Sequence, residues 1–320
     1  MPQISIITPV WNGMPFLQEC IDSVIRQDFQ DWEMLISDDG SDDGSKDYLD
    51  LITDKRIKVF KQKENQGIFG NLNFLFDLAQ APICQILCQD DHFMNARALG
   101  RIVHYWRLAD PAIGFVRFNH NETANGETMA YEKKLLPSIL PAGKAAIWFY
   151  IFGNIPGNLS NMSLRTKIVL DSGGFDAAIS YAGDFEFWVR AAKKVSIGVQ
   201  KEMLVRVRRH DGVASSFLNL KGELYPQHML VYENLINQLV HAFDKRELIR
   251  YFNLGVCSFH YRLAIKLLLQ GEFAYLRSFL TTESSMLWPK WRQLIACLPF
   301  ALSEKKRTKL TVELAKKLLT

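Results

Sequence analysis

The chain opens on a β-branched run, ISIITPV, then a turn cluster, WNGMP, then FLQECIDSVIRQ, whose apolar residues recur at helical spacing. A continuous β-branched run is the pattern of a parallel strand buried on both faces, because neither face is left for polar side chains. The alternation repeats. WEMLISDD predicts a second strand stopped by a Gly/Ser/Asp loop, and residues 45–52 predict a short polar helix. RIKVFKQ predicts a third strand, residues 65–79 a turn and helix, and ICQILCQDD a fourth strand ending in acids. This β-α-β-α-β-α-β order predicts a doubly wound parallel sheet with right-handed crossovers. Ligands of such sheets bind outside the carboxyl ends of the strands, which points to the loops TPVWNG, SDDGSDDGS and CQDDH.

Beyond residue 92 the pattern mixes strands, GFVRFNH and VSIGVQ, with a helix at DFEFWVRAAKK. From about residue 222 strand signals stop. YPQHMLVYENLINQLVHAF, LIRYFNLGVCSFHYRLAIKLLLQ, the YLRSFL region and KKRTKLTVELAKKLL all carry helical spacing. The expected organisation is an α/β domain over residues 1–217, divided into halves 1–95 and 96–217, followed by a helical region over 218–320.

Composition narrows the class. With 320 residues, 48% hydrophobic and 22% charged, the chain has ordinary globular usage, which removes disorder, collagen and coiled coil. Five scattered cysteines without a C-x-x-C pair predict neither a disulfide framework nor a zinc site, and they suit a reducing compartment. The start lacks the basic and apolar regions of a signal peptide, and no apolar run reaches about 18 residues. A cytoplasmic location is therefore expected. The net charge of +4 is uneven, since eight Lys or Arg stand against two Glu between residues 286 and 320.

Four segments carry candidate chemistry. In CQDDHF, Gln89, Asp90, Asp91 and His92 follow an apolar run. Adjacent carboxylates repel, and a buried pair is costly unless a cation joins them. Mg²⁺ or Mn²⁺ does so through one or two carboxylates plus substrate phosphates; the plain alternative is a solvated Asp-Asp turn. Asp38 and Asp39 end the second strand, where a carboxylate accepts from a base N–H or ribose hydroxyl, or else only shapes a turn. TPVWNGMPF holds a single glycine, so a dinucleotide fingerprint is absent, and no P-loop occurs. Asp184 precedes an apolar helical pattern and is expected at its N-cap, with Glu186 in the first turn. A carboxylate there could equally be a general base. Arg206, Arg208, Arg209 and His210 form a cationic cluster suited to a leaving diphosphate. The other histidines, His104, His120, His228, His241 and His260, are taken as structural.

In order and spacing these segments resemble the family 2 glycosyltransferases of the GT-A fold, over about residues 3–217. ISIITPVWNGMPFLQECIDSVIRQDFQDWEMLISDDGSDDGS is similar to that family's nucleotide-binding opening. NQGIFGNLNFLFDLAQAPICQILCQDDHF resembles its middle stretch, and GGFDAAISYAGDFEFWVR the acceptor-side segment that ends in the catalytic base. The resemblance implies that Thr8, Pro9, Val10 and Asn12 line the base and ribose pocket and that Asp38 and Asp39 contact base or ribose. It places Asn73, Gln89 and Asp90 in the same donor site, and makes Asp90 and Asp91 the DXD-type motif, with Asp91 first on Mn²⁺ or Mg²⁺. Asp184 becomes the general base, and His210 lies near the diphosphate and completes the metal shell. Two positions depart from the pattern. Cys88 stands where an acid often opens D-x-D-D, and Gly183 where a Glu often precedes the base, leaving Glu186 as the alternative base.

The implied activity is inverting, metal-assisted transfer from a nucleotide sugar, UDP-sugars ahead of GDP and dTDP sugars, to a glycan or lipid-linked glycan in bacterial surface polysaccharide synthesis. The alternatives are a degenerate sugar-nucleotide-binding or scaffold protein and, behind it, a nucleotidyltransferase. Outside the resemblance, SSMLWPKWRQLIACLPFALSEKKRTKL joins aromatic anchors to basic residues, a combination that suits an anionic membrane surface or only a solvated basic face. Homo-oligomerisation through the same helices stays open. No nucleic-acid motif is present, so no nucleic-acid partner is expected.

Overall fold

The computed structural model describes residues 1–119, 127–208 and 220–319. Its first elements alternate as β1 (Ile4–Val10), α1 (Leu17–Ile25), β2 (Trp32–Asp38), α2 (Ser45–Asp50), β3 (Ile57–Lys61), α3 (Gly67–Leu78) and β4 (Ile83–Ile86). There follow β5 (His92–Phe93), α4 (Ala98–Leu108), β6 (Ile113–Arg117), α5 (Glu127–Leu135), β7 (Ile139–Leu140) and α6 (Ala146–Phe152). β8 (Met162–Arg165), α7 (Thr166–Asp171), α8 (Gly183–Ala191), β9 (Ser196–Val199) and β10 (Val205–Arg206) complete the first two thirds.

Eight strands form one sheet in the order β3-β2-β1-β4-β8-β6-β9-β7, and β10 pairs with β5 separately. β3, β2, β1 and β4 are mutually parallel, whereas β8 runs antiparallel to both β4 and β6. The sheet is therefore mostly parallel, with its mixed half entered through β8. Every residue of β1 and β2 is buried, which is why their sequences show no polar alternation. α1 buries Leu17, Cys20, Ile21 and Val24, and α3 buries Phe69, Leu72, Leu75 and Phe76. Each large apolar side chain so withdrawn contributes about 1.5–3 kcal/mol.

Two compact units emerge. The sheet unit comprises residues 1–123, 137–143 and 156–208; the helical unit comprises 124–136, 144–155 and 209–320. In the helical unit, α5 and α6 join α9 (Leu224–Leu239), α10 (Lys245–Tyr251), α11 (Cys257–Leu269), α12 (Ala274–Thr281), α13 (Lys290–Ala301) and α14 (Glu304–Leu319). Tyr150 of α6 donates its hydroxyl to Leu248 O, and Tyr251 donates to Ile151 O at 2.9 Å. A π-helical turn, Phe252–Val256, links α10 to α11 and exposes the amide of Asn253 to neighbours. Asn253 Nδ2 reaches Met286 O at 3.0 Å, and its Oδ1 accepts from the Trp288 N–H at 3.0 Å. Among the described residues, no helix is long and apolar enough to cross a membrane.

Candidate active site

The carboxyl ends of β1, β2 and β4 lie side by side, and the loops leaving them are stitched together. Asn12 sits in the left-handed region at φ 49°, a conformation its short polar side chain tolerates. Its N–H donates to Ser41 Oγ at 2.8 Å, and its Oδ1 accepts from the Asp42 N–H at 2.9 Å. The next two backbone donors follow suit, Gly13 to Ser45 Oγ at 2.9 Å and Met14 to Asp43 Oδ2 at 2.8 Å. Gln89 clamps the third loop to the first: its Oε1 accepts from the Trp11 N–H at 2.6 Å and its Nε2 donates to Trp11 O at 2.8 Å. Trp11 itself stays exposed beside this clamp.

Within that frame the predicted residues divide into satisfied and unsatisfied. Thr8, Pro9 and Val10 are buried in β1, and Thr8 Oγ1 has no partner among the described residues. Asp38 is fully buried; its Oδ2 accepts a long contact from the Ser41 N–H at 3.4 Å, and its Oδ1 has no partner among the described residues. Asp39 is spent differently. Its carboxylate accepts from the Gln66 N–H at 2.7 Å and the Gly67 N–H at 2.9 Å, holding the first turn of α3. Asn73 gives both ends of its amide to the Phe175 backbone, at 2.8 Å each, and so ties α3 to the segment that leads to α8.

The acids of CQDDH do not lie on the strand. β4 ends at Ile86, and a turn closed by the Asp91 N–H to Cys88 O at 3.0 Å carries Asp90 and Asp91 beyond it. Asp91 is buried; its Oδ1 accepts from the Arg208 N–H at 2.8 Å, and its Oδ2 is buried without a partner among the described residues. Burial first, and the neighbouring Asp90 charge second, push its carboxyl up to about 7. Arg208 also donates Nε to Asp90 O at 2.8 Å and Nη2 to Glu19 Oε2 at 2.6 Å, and it lies over the Phe16 ring. Cys88 keeps its thiol protonated, since burial and the two carboxylates push it well up.

A divalent cation fits this donor set. An unpaired buried carboxylate oxygen beside a second carboxylate is a hard-oxygen arrangement, and Mg²⁺ or Mn²⁺ needs no more than that from protein when phosphates supply the rest. Among the described residues no three of His, Cys, Asp and Glu come together, so the protein alone does not build a closed cage. His210, expected to complete the shell, and Arg209 lie outside the described residues.

At α8 the expected cap moves. The helix begins at Gly183, Ala182 takes the cap position, and Asp184 is the second helical residue, half-buried, with Oδ1 accepting from the Phe185 N–H at 2.7 Å. Gly183 has a packing reason. A Cβ there would come within 2.7 Å of the Phe69 ring, so only glycine lets α3 approach the start of α8. The missing glutamate ahead of Asp184 is thus replaced by an aromatic wall from another element. Glu186 is held in a two-pronged ion pair with Arg190, Nε to Oε1 and Nη2 to Oε2, each at 2.8 Å. Arg190 in turn donates to Ser172 O and Gly174 O, so Glu186 braces the loop before α8. Ser160, whose Oγ accepts from the Cys88 N–H at 2.8 Å, and Phe69 were not singled out by sequence; neither belongs to an acidic or glycine-rich motif.

A mostly parallel sheet with paired acids at its carboxyl edge, followed by helices, is the architecture of the GT-A transferases. A family profile for glycosyl transferase family 2 matches residues 5–173. The chain is 25% identical over 254 residues to a Campylobacter jejuni GalNAc(5)-diNAcBac-PP-undecaprenol β-1,3-glucosyltransferase, covering 77% of this chain and 78% of that one. Three further relatives, all named as glycosyltransferases, are matched over only 36–39% of their own length. The fold is shared with S. aureus TarS 1-349 in complex with UDP-GlcNAc, at TM-score 0.63 and 17% identity, over 99% of this chain and 91% of that one. It is shared also with a Pyrobaculum calidifontis mannosyltransferase in complex with GDP-Man and Mn²⁺, at TM-score 0.56 and 17% identity, over 99% and 87%. The chain belongs to glycosyl transferase family 2, and it is a glycosyltransferase.

Proposed function

We propose that the protein moves a sugar from a nucleotide sugar, a UDP-sugar first, to a hydroxyl of a glycan or lipid-linked glycan in surface polysaccharide synthesis. The transfer is a single displacement that inverts the anomeric centre. The observation that carries this reading is Asp91 Oδ2, buried and unpaired beside Asp90 at the carboxyl edge of the sheet. A undecaprenol-linked acceptor in the name of the C. jejuni relative and the UDP-GlcNAc held by TarS support the acceptor and donor classes.

In this reading Thr8, Pro9, Val10 and Asn12 line the nucleoside pocket, and Asp38 offers its unpaired Oδ1 to base or ribose. Asp39, Asn73 and Gln89 act mainly by holding α3, the segment before α8 and the first loop in place, each through contacts it already makes. Asp91 and Asp90 hold a Mn²⁺ or Mg²⁺, which when bound neutralises charge on the leaving nucleoside diphosphate. Asp184 takes the proton of the attacking hydroxyl, since Glu186 is engaged by Arg190.

Calorimetric titration with UDP, GDP and dTDP, each with Mn²⁺ and with EDTA, tests the donor side. UDP binding that is tightened by Mn²⁺ and weakened by EDTA is expected; binding indifferent to EDTA removes the metal from the reading. Asp184→Asn should lower transfer about 10²–10⁴-fold and leave UDP affinity unchanged, with Glu186→Gln staying close to wild type. The reverse pattern hands the base to Glu186.

A further inference from the structure

α13 presents an apolar stripe that no described residue covers. Trp291, Ile295, Leu298 and the residue that closes the helix, Leu302, are exposed by 68%, 70%, 40% and 73%. Their spacing of four, three and four residues places them on one narrow face, spanning roughly 17 Å of helix. The opposite face is fixed: Gln293, Cys297 and Ala301 are buried, and Cys297 Sγ donates to Asn253 O at 3.0 Å. The stripe is therefore held outward by a packed helical unit. It does not belong to a loose end of chain.

Cations gather at both ends. Arg292 lies with its guanidinium 4.3 Å from the Trp288 ring. At the other end Arg307 of α14 donates to Phe300 O and Ala301 O, which brings the basic first turn of α14 against the end of α13. Lys305 and Lys306, in that same turn, are exposed. Burying about four large apolar side chains while placing several Lys and Arg at the surface is the energetic profile of a helix lying in a membrane interface. A second copy of the chain is a poorer occupant, because two-fold pairing through the stripe would bring two basic clusters together.

We propose that this face of the helical unit docks on an anionic lipid bilayer, with Trp291, Ile295, Leu298 and Leu302 entering the interface and Arg292, Lys305 and Lys306 meeting the headgroups. This goes beyond the transfer reaction and does not rest on it. The test is co-sedimentation of the full chain with vesicles of phosphatidylcholine alone and of phosphatidylcholine mixed with phosphatidylglycerol, at low and high salt. Binding to the mixed vesicles that weakens with salt is expected. Trp291→Ser with Ile295→Ser should lower that affinity about 10-fold or more, and Lys305→Gln with Lys306→Gln about 10-fold, both without change in the circular dichroism spectrum. No binding to either vesicle, or wild-type binding by both paired variants, overturns the proposal. So does a dimer in light scattering that Ile295→Ser dissolves, since the stripe would then belong to a second copy.

Discussion

Asp91 in the sheet unit and half-buried His228 with buried His260 in the helical unit are ionisable groups at which burial opposes the charged form. The Asp91 carboxyl is pushed up to about 7 and the His228 imidazole down to about 4, with His260 also well below its ordinary range. What differs is closure. His228 Nδ1 meets His260 Nε2 at 3.2 Å, and His260 Nδ1 meets the Tyr275 hydroxyl at 2.7 Å, so both ring nitrogens of His260 find protein. Asp91 is met by Arg208 on one oxygen and by no described residue on the other. A closed polar network specifies packing, whereas an open one beside a second carboxylate is a place prepared for something the chain does not supply.

The largest expected effect breaks the open site. Asp91→Asn should abolish the Mn²⁺ dependence of UDP binding and lower transfer about 10²-fold or more. The metal-free protein should melt no lower than wild type, because asparagine removes the carboxylate that burial and Asp90 disfavour. Retained Mn²⁺ dependence in calorimetry would show that Asp91 is closed by the fold after all.

Acid should test the closed network. The folded His228 pKa lies below its unfolded value near 6.5, so the unfolded chain binds the extra proton. Stability is then whole above about pH 6.5 and is lost as pH falls toward 4. Between about pH 7.5 and about pH 5, His228 alone should take about 2 kcal/mol from the helical unit. Thermal melts across that range should show the decline, and His228→Gln should make it shallower, with His260 carrying what is left.

Asp39→Asn sharpens the contrast inside the sheet unit, with the smallest effect. Asparagine offers one acceptor oxygen where Asp39 uses two on the Gln66 and Gly67 N–H groups. A loss of about 1 kcal/mol is expected, with the Mn²⁺ dependence of UDP binding unchanged. A changed metal dependence would mean that the two acid pairs are not independent.

The long elements were legible because their signal is local. β1 and β2 stand where runs rich in β-branched and large apolar residues predict them, and α1 and α3 where the helical period does. β7, β5 and β10, two residues each, are too short to carry a period, and β8 reads MSLR, whose apolar–polar alternation spans only four residues. At the site, residue types were legible and their tasks were not. Nothing in SDDG says that Asp39 turns to α3 while Asp38 keeps an oxygen free, and nothing in AGDFEFW says that Arg190 engages Glu186.

Hydrophobic periodicity and the order of acidic, glycine and aromatic motifs therefore determined, from sequence alone, an α/β fold, a helical C-terminal region and the family, with acids on the carboxyl side of the sheet. Tertiary structure decided which of those acids is left open. It did so through contacts between positions far apart in the chain: Arg208 on Asp91, Phe69 against Gly183, Asn73 on Phe175. A pattern of neighbours records the face each residue turns to the core, but the partner of a single oxygen is set only once distant elements have packed.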